Sequence, residues 1–167
     1  MEKPRLPAAQ YVHHSWAPDG DRIVLTLYAE EKPTSLLIYD RIEDDYDILD
    51  LSLPEASALG WPEWSPDGHE ILFASRQRGY YSVWVVGADG SDLRRVTSAP
   101  DIERPIWSPD GCCIAVSKGC DPGADGKWTG EDDSDTFIYD TTSGSWARIP
   151  YPRSRESTLS WTAASTD

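Results

Sequence analysis

Side chains that could bind a metal ion occur in one acidic stretch. Counted from Asp121 as the first position of a loop, Asp125, Thr129 and Asp132 follow at positions 5, 9 and 12, and Gly126 stands at position 6. An EF-hand loop, by contrast, carries an acid or amide at position 3 and Glu at position 12. This stretch has glycine and aspartate at those positions. Two interpretations remain open: a Ca²⁺ site at Asp121, Asp125 and Asp132, and a solvated acidic loop.

Patterns for nucleophilic or zinc chemistry are weak. The chain has three histidines, which limits acid–base catalysis, and it has no Gly-x-Ser-x-Gly elbow for a serine nucleophile. The cysteines Cys112, Cys113 and Cys120 show no Cys-x-x-Cys spacing. We therefore expect reduced, structural thiols, with Cys112 and Cys113 on opposite faces of one strand. No other cofactor is expected.

A sequence repeat predicts the secondary-structure elements that position these residues. Residues 16–20, 64–68 and 107–111 read Trp-Ala-Pro-Asp-Gly or Trp-Ser-Pro-Asp-Gly, with the tryptophans 48 and 43 residues apart. A fourth tryptophan, Trp161, lacks the Pro-Asp-Gly tail. A period of this length indicates a repeat array or a propeller.

Each repeat contains a pattern of short strands. Apolar residues stand seven and nine positions after each tryptophan, as in Ile71 and Phe73, which is the period of a strand. We predict four strands per repeat, with Pro-Asp-Gly forming the turn between the first two. The repeated tryptophans are expected to fill the gaps between neighbouring sheets, and the repeated aspartates to serve folding rather than catalysis.

The repeated Trp-Ser-Pro-Asp-Gly followed by alternating apolar residues resembles the WD-like, PD-type repeat of TolB-like β-propellers, and residues 58–99 match it best. The resemblance implies an all-β fold of four-stranded antiparallel blades around a central channel. It also implies a binding scaffold more strongly than a reaction. Similar blades occur in prolyl-oligopeptidase-type peptidases, whose catalytic residues lie on a separate hydrolase domain that has no counterpart in this sequence.

The resemblance places a candidate binding site at the channel entrance. The residues three positions before the repeated tryptophans are His13, Trp61 and Arg104, and His14 and Glu103 stand beside them. In the family these positions begin the inner strands and face the channel. Such side chains could bind a protein, a peptide or a small ligand. Alternatively, the prolines at 62 and 105 only shape the start of each strand.

A second candidate contact surface is the long segment 118–135, which joins two strands of the third repeat. Long loops on a rigid scaffold often carry function. Trp128 lies in its middle, which is unusual for a solvated loop, so we expect it to contact a blade or a partner.

The predicted layout leaves the propeller incomplete. We assign residues 1–10 to an outer-strand remnant, 11–53, 54–99 and 100–152 to three blades, and 153–167 to the inner strand of a further blade. Propellers usually have about 4–8 blades. We therefore predict a dimer that completes a ring, because bare blade edges favour association. A further blade shared with the terminal strands, or a fragment of a longer protein, are the alternatives.

The net negative charge of the chain disfavours some classes of binding partner. The formal net charge is −14, which disfavours binding to nucleic acid or to an anionic membrane surface. No apolar run approaches the about 20 residues that span a bilayer, and the N-terminus lacks an apolar signal region. The expected location is cytoplasmic, or periplasmic or secreted if a leader was removed, since many TolB-like proteins are exported.

We predict a non-enzymatic binding or scaffold protein. One alternative is a small enzyme whose pocket forms in the channel of an assembled ring, with His13, His14 and Glu103 as acid–base candidates. Another is a shortened propeller whose role is structural assembly only.

Overall fold

The computed structural model describes residues 9–29, 32–49, 51–53, 56–77, 80–97, 102–119 and 134–149. Within these ranges the fold is all-β, and the strands form three four-stranded antiparallel sheets. Each sheet follows chain order from its first to its last strand. The all-β class predicted from the repeat is confirmed. The described residues include no helix that could cross a membrane.

Each sheet is one blade and corresponds to one sequence repeat. Blade 1 comprises β1 (Gln10–Trp16), β2 (Arg22–Ala29), β3 (Lys32–Asp40) and β4 (Asp45–Leu49). Blade 2 comprises β5 (Ala56–Trp64), β6 (Glu70–Gln77), β7 (Tyr80–Gly87) and β8 (Arg94–Arg95). Blade 3 comprises β9 (Ile102–Trp107), β10 (Cys113–Gly119), β11 (Ser134–Asp140) and β12 (Trp146–Ile149). Of the predicted terminal pieces 1–10 and 153–167, residues 1–8 and 153–167 lie outside the described residues, and Gln10 belongs to β1.

The Pro-Asp-Gly tails form the predicted turns. In blade 2, Gly68 N donates to Ser65 O over 2.9 Å, and Gly68 has a φ of +73°. Asp67 Oδ1 accepts hydrogen bonds from Ser65 Oγ (2.6 Å) and from His69 N (3.0 Å). The corresponding groups of blade 3 make the same bonds. The aspartates therefore close the turn, as the sequence predicted.

One prediction about the cysteines is wrong. Cys112 lies in the turn before β10, which begins at Cys113, so the two residues do not occupy opposite faces of one strand. The turn places the Cys112 side chain in solvent, with its backbone N donating to Asp110 Oδ1. Both thiols are free.

The repeated tryptophans pack between blades in two of three cases. Trp64 is 4% exposed and belongs to a core that includes Val24, Leu36 and Ile38 of blade 1. Trp107 is 6% exposed and packs with Leu72, Val83 and Val85 of blade 2. Trp16 is 55% exposed. The prediction is therefore wrong for Trp16, because no described blade lies on the side that its counterparts use for packing.

Candidate functional site

A β-bulge interrupts the first strand of every blade. The pairing register shifts between Tyr11 and His14 in β1, and between Gly60 and Glu63 in β5. In β9 the residues between Glu103 and Ile106 are the unpaired ones. Bulges redirect side chains. The unpaired residues lie three and two positions before the tryptophan in β5 and β9, and four and three positions before it in β1. The three bulges therefore share the position three residues before each tryptophan, at the same end of the inner strands.

These bulges line one open cleft of about 590 Å³, which spans the three blades. Its lining residues are Val12, His13, His14, Ser15, Trp61, Pro62, Glu63, Arg104, Pro105 and Ile106. We call this the bulge cleft. The structure thus brings together four of the five residues predicted for the channel face. For the fifth, Glu103, the structure describes only the backbone, which pairs with Ser117.

The remaining predicted residues lie outside the described part of the chain. They are Trp128, predicted as a loop contact, and Asp121, Asp125 and Asp132, predicted as Ca²⁺ ligands. Among the described residues, no group of three or more His, Cys, Asp or Glu side chains could hold a metal ion. The loop predictions therefore stay predictions.

Two aromatic rings of the bulge cleft, His13 and Trp61, belong to a row of three rings that continues to Tyr81 outside its lining. The Trp61 ring contacts the His13 ring, with centroids 5.3 Å apart and planes tilted by 46°. On its other side it contacts Tyr81, at 5.2 Å and 59°. Tilted contacts at these distances are favourable aromatic geometries. Trp61 is thus held between a ring of blade 1 and a ring of its own blade.

Two residues of the bulge cleft have a strained backbone. Trp61 and Arg104 have φ values of +49° and +47°. The left-handed region is costly for a bulky residue, whereas short polar residues such as Asp44 and Asp92 tolerate it in turns. Both strained residues also precede a proline, which restricts the backbone further. Backbone strain at equivalent positions of two blades is typical of functional sites, because the strained backbone fixes the direction of the side chain.

The surroundings of His13 favour its neutral form. Burial lowers the pKa of its imidazole, and the positive charge of Arg104 and then His14 lower it further. Its Nδ1 is buried and has no hydrogen-bond partner among the described residues. That atom lies against the backbone of Gly60, where a Cβ would come within 3.6 Å of it.

Sequence reasoning missed Glu63, the carboxyl group of the bulge cleft that the structure describes. Burial raises its pKa from 4.5 to about 7, and a hydrogen bond from Trp107 N partly opposes this rise. The bond from Trp107 N to Glu63 Oε1 measures 3.4 Å. Ser15, at the equivalent position of blade 1, accepts a bond of 3.4 Å from Trp64 N. The sequence signal for Glu63 is its position, since it is an acidic residue directly before a repeated tryptophan.

Sequence comparison finds relatives for parts of the chain. Over 94 residues it is 34% identical to the Tol-Pal system protein TolB of Anaeromyxobacter dehalogenans, covering 56% of this chain and 20% of that protein. Over 58 residues it is 36% identical to the uncharacterized peptidase YuxL of Bacillus subtilis, covering 34% of this chain and 9% of that protein. The chain thus spans a fifth or less of the length of these curated relatives. No model of a known protein family matches the sequence.

Structural comparison covers more of the chain. TolB from Acinetobacter baumannii matches with a TM-score of 0.66 and 19% identity, over 86% of this chain and 33% of that one. Similarity at this level of identity concerns the fold, and it covers most of the chain.

Proposed function

We propose that this chain, which has the TolB-like β-propeller fold, is a non-enzymatic binding protein that engages a protein or peptide partner in the bulge cleft. One observation carries the proposal: three consecutive blades direct bulged residues of different chemistry into a single open cleft. Such convergence on a rigid scaffold is typical of binding sites. The aromatic row around Trp61 supplies area for an apolar anchor, and large aromatic side chains are frequent binding hot spots.

A catalytic role has weaker support. Glu63 has the raised pKa of an acid–base catalyst. However, its carboxylate accepts the same backbone bond that Ser15 accepts one blade earlier. Ser15 and Glu63 thus make equivalent bonds at equivalent positions. This indicates a structural role in linking neighbouring blades. The relatives that are peptidases by name do not transfer that activity to this chain.

The sequence analysis left two locations open, cytoplasmic and exported. The resemblance to TolB favours the exported location, in the periplasm or outside the cell. Self-association into a ring stays part of the proposal, and it would place the bulge cleft beside a second copy of the chain.

Selection of peptides from a random displayed library, followed by affinity measurement on purified protein, tests the proposed function. We expect the selected peptides to lose about tenfold or more in affinity for Trp61→Ala, since a central tryptophan anchor is worth at least that much. Trp146→Ala is the matched control. Trp146 is also a partly exposed ring in a tilted aromatic contact, with Tyr139 at 4.9 Å, and it lies on the outer strand of blade 3.

The two variants must first show the thermal unfolding midpoint of a folded protein. Peptides that bind Trp61→Ala as tightly as the unmodified chain would place binding outside the bulge cleft. Failure to select any peptide would contradict the proposed binding role.

A further inference from the structure

Arg104 differs from three other described arginines of this acidic chain. Arg22, Arg41 and Arg94 form ion pairs with carboxylates of their own blades, at 2.8, 2.7 and 2.6 Å. Arg104 forms no ion pair or hydrogen bond with any residue that the structure describes. With a net charge of −14, the chain has an excess of carboxylates that could neutralise it. An exposed guanidinium that has no partner among the described residues of a cleft is a ready site for an external carboxylate.

The described surroundings of Arg104 do not neutralise its charge. His13 and His14 line the same cleft, and the Arg104 charge is felt at the His13 ring. The Glu63 carboxyl group does not pair with Arg104, because the bond described for it goes to Trp107 N. Among its described lining residues, the cleft therefore combines the Arg104 cation with one carboxyl group, which is hydrogen-bonded between blades.

The backbone holds Arg104 and Trp61 in comparable positions. Each is the first unpaired residue of its bulge, each has a left-handed φ, and each is followed by proline. One bulge thus presents a fork of hydrogen-bond donors, and the neighbouring bulge presents an aromatic surface. Planar guanidinium groups bind carboxylates with two parallel hydrogen bonds, and tryptophan stacks on apolar or aromatic groups.

We propose that the bulge cleft recognises a carboxylate carried next to an aromatic or apolar group, with Arg104 pairing the carboxylate and Trp61 contacting the apolar part. This inference rests on the proposed function and specifies its ligand. The carboxylate can belong to an acidic side chain or the C-terminus of a peptide, or to a small free acid. These sources share one chemistry at the cleft, so the test separates them by the probe used.

NMR titration with matched probes tests the inference on the full chain. The first pair is 3-phenylpropanoate and the neutral 3-phenylpropanamide, which have the same ring and nearly the same size. The readout is the shift of the Trp61 indole N–H and the His13 and His14 ring signals, assigned with single variants. We expect the acid to bind about tenfold more tightly than the amide, as a charge-assisted bidentate contact should.

Arg104→Gln should abolish the difference between the affinities for the acid and for the amide. Arg95→Gln is the matched control, since Arg95 is an exposed arginine on β8, and it should retain the full preference for the acid. Two capped dipeptides identify the source: N-acetyl-Ala-Phe with a free C-terminus, and N-acetyl-Asp-Phe-amide. Tighter binding of either dipeptide than of phenylpropanoate assigns a peptide carboxylate, and weaker binding of both assigns a small acid.

The outcomes separate this inference from the proposed function. If the amide binds as tightly as the acid and shifts the same signals, the cleft binds ligands but the carboxylate preference is overturned. If no probe shifts the Trp61, His13 or His14 signals, both the inference and the cleft as binding site are overturned. Loss of the preference in Arg95→Gln would show that general surface charge, rather than Arg104, is responsible.

Discussion

In blades 1 and 2, the residue before the repeated tryptophan accepts a hydrogen bond from the next blade. Ser15 and Glu63 each accept the backbone N–H of the tryptophan that begins the next turn. In blade 3 this position is Ile106, which cannot accept a hydrogen bond. A buried N–H needs a partner, so the bond stabilises the joint, but in blade 2 a carboxyl group must be buried to make it.

Glu63→Gln should make stability less dependent on pH. The folded state binds the Glu63 proton more tightly, because its pKa there is about 7 against 4.5 ordinarily. Between those values the folded state holds more protons than the unfolded one, so raising the pH lowers the free energy of unfolding, by about 3 kcal/mol at most. Glutamine keeps the acceptor for Trp107 N and cannot ionise. We expect the variant to be about 1–3 kcal/mol more stable than the unmodified chain near pH 8 and similar near pH 4.5.

Urea denaturation at both pH values measures this difference. Comparing the two proteins at each pH removes the opposing contribution of His13, whose lowered pKa makes stability increase with pH. Glu43→Gln, an exposed turn residue, is the control and should change stability equally at both pH values. A stability gain that is the same at pH 4.5 and pH 8 would show that Glu63 is not buried as a neutral acid.

At the residue scale, the sequence predicted which side chains meet but not their environment. His13, Trp61 and Arg104 could be predicted to lie together because each stands three residues before a repeated tryptophan. Residues at the same position of equivalent strands lie at the same end of neighbouring blades. The burial of Glu63 could not be predicted, because it depends on how closely blades 2 and 3 pack. The lack of a partner for Arg104 among the described residues likewise depends on which carboxylates lie within reach.

At the scale of elements, the turns explain the regularity of the repeat. Gly20, Gly68 and Gly111 all have φ values between +72° and +74°. Neighbouring turns also approach each other: a Cβ at Gly68 would lie 3.6 Å from Pro18, and one at Gly111 would lie 3.8 Å from Pro66. These are ordinary contacts, so the backbone conformation, rather than lack of space, requires glycine.

Gly68→Ala should therefore destabilise the chain by about 1–2 kcal/mol, the cost of a left-handed alanine. Gly68→Asn should lose less, because asparagine tolerates this conformation. Thermal or urea unfolding of the two variants measures the order. If asparagine proves as damaging as alanine, side-chain contact with Pro18 or Arg22 would be the cause instead of backbone strain.

The strands were predictable because their period and turn chemistry are local. Their lengths were less so: β8 has only two residues, although Val96 N still donates to Val83 O over 2.8 Å. The bulges could not be predicted from the sequence. An extra residue in the strand does not change the pattern of apolar residues, which resumes at the tryptophan. The fold class and TolB-like recognition are confirmed, whereas the division of the chain into domains stays a prediction.

At the scale of the molecule, blade 1 has one face without a described neighbour. Trp16 is 55% exposed, whereas Trp64 and Trp107 at the same position are 4% and 6% exposed. The pairing registers place Ile48, 46% exposed, on the same face, although Leu37 on that face is buried. An exposed tryptophan at a position that is otherwise an interface favours association, and a second copy carries a blade face of the kind it packs against.

We therefore expect the chain to be dimeric in solution, with a mass by native mass spectrometry and light scattering that approaches twice the monomer value as concentration rises. Trp16→Glu should shift the equilibrium to monomer by placing a charge in the contact. Trp146→Glu changes an exposed tryptophan of blade 3 in the same way and should leave the dimer intact. A chain that is monomeric at every concentration would contradict the ring completed by two copies, and the bulge cleft would then have to bind its partner with three blades alone.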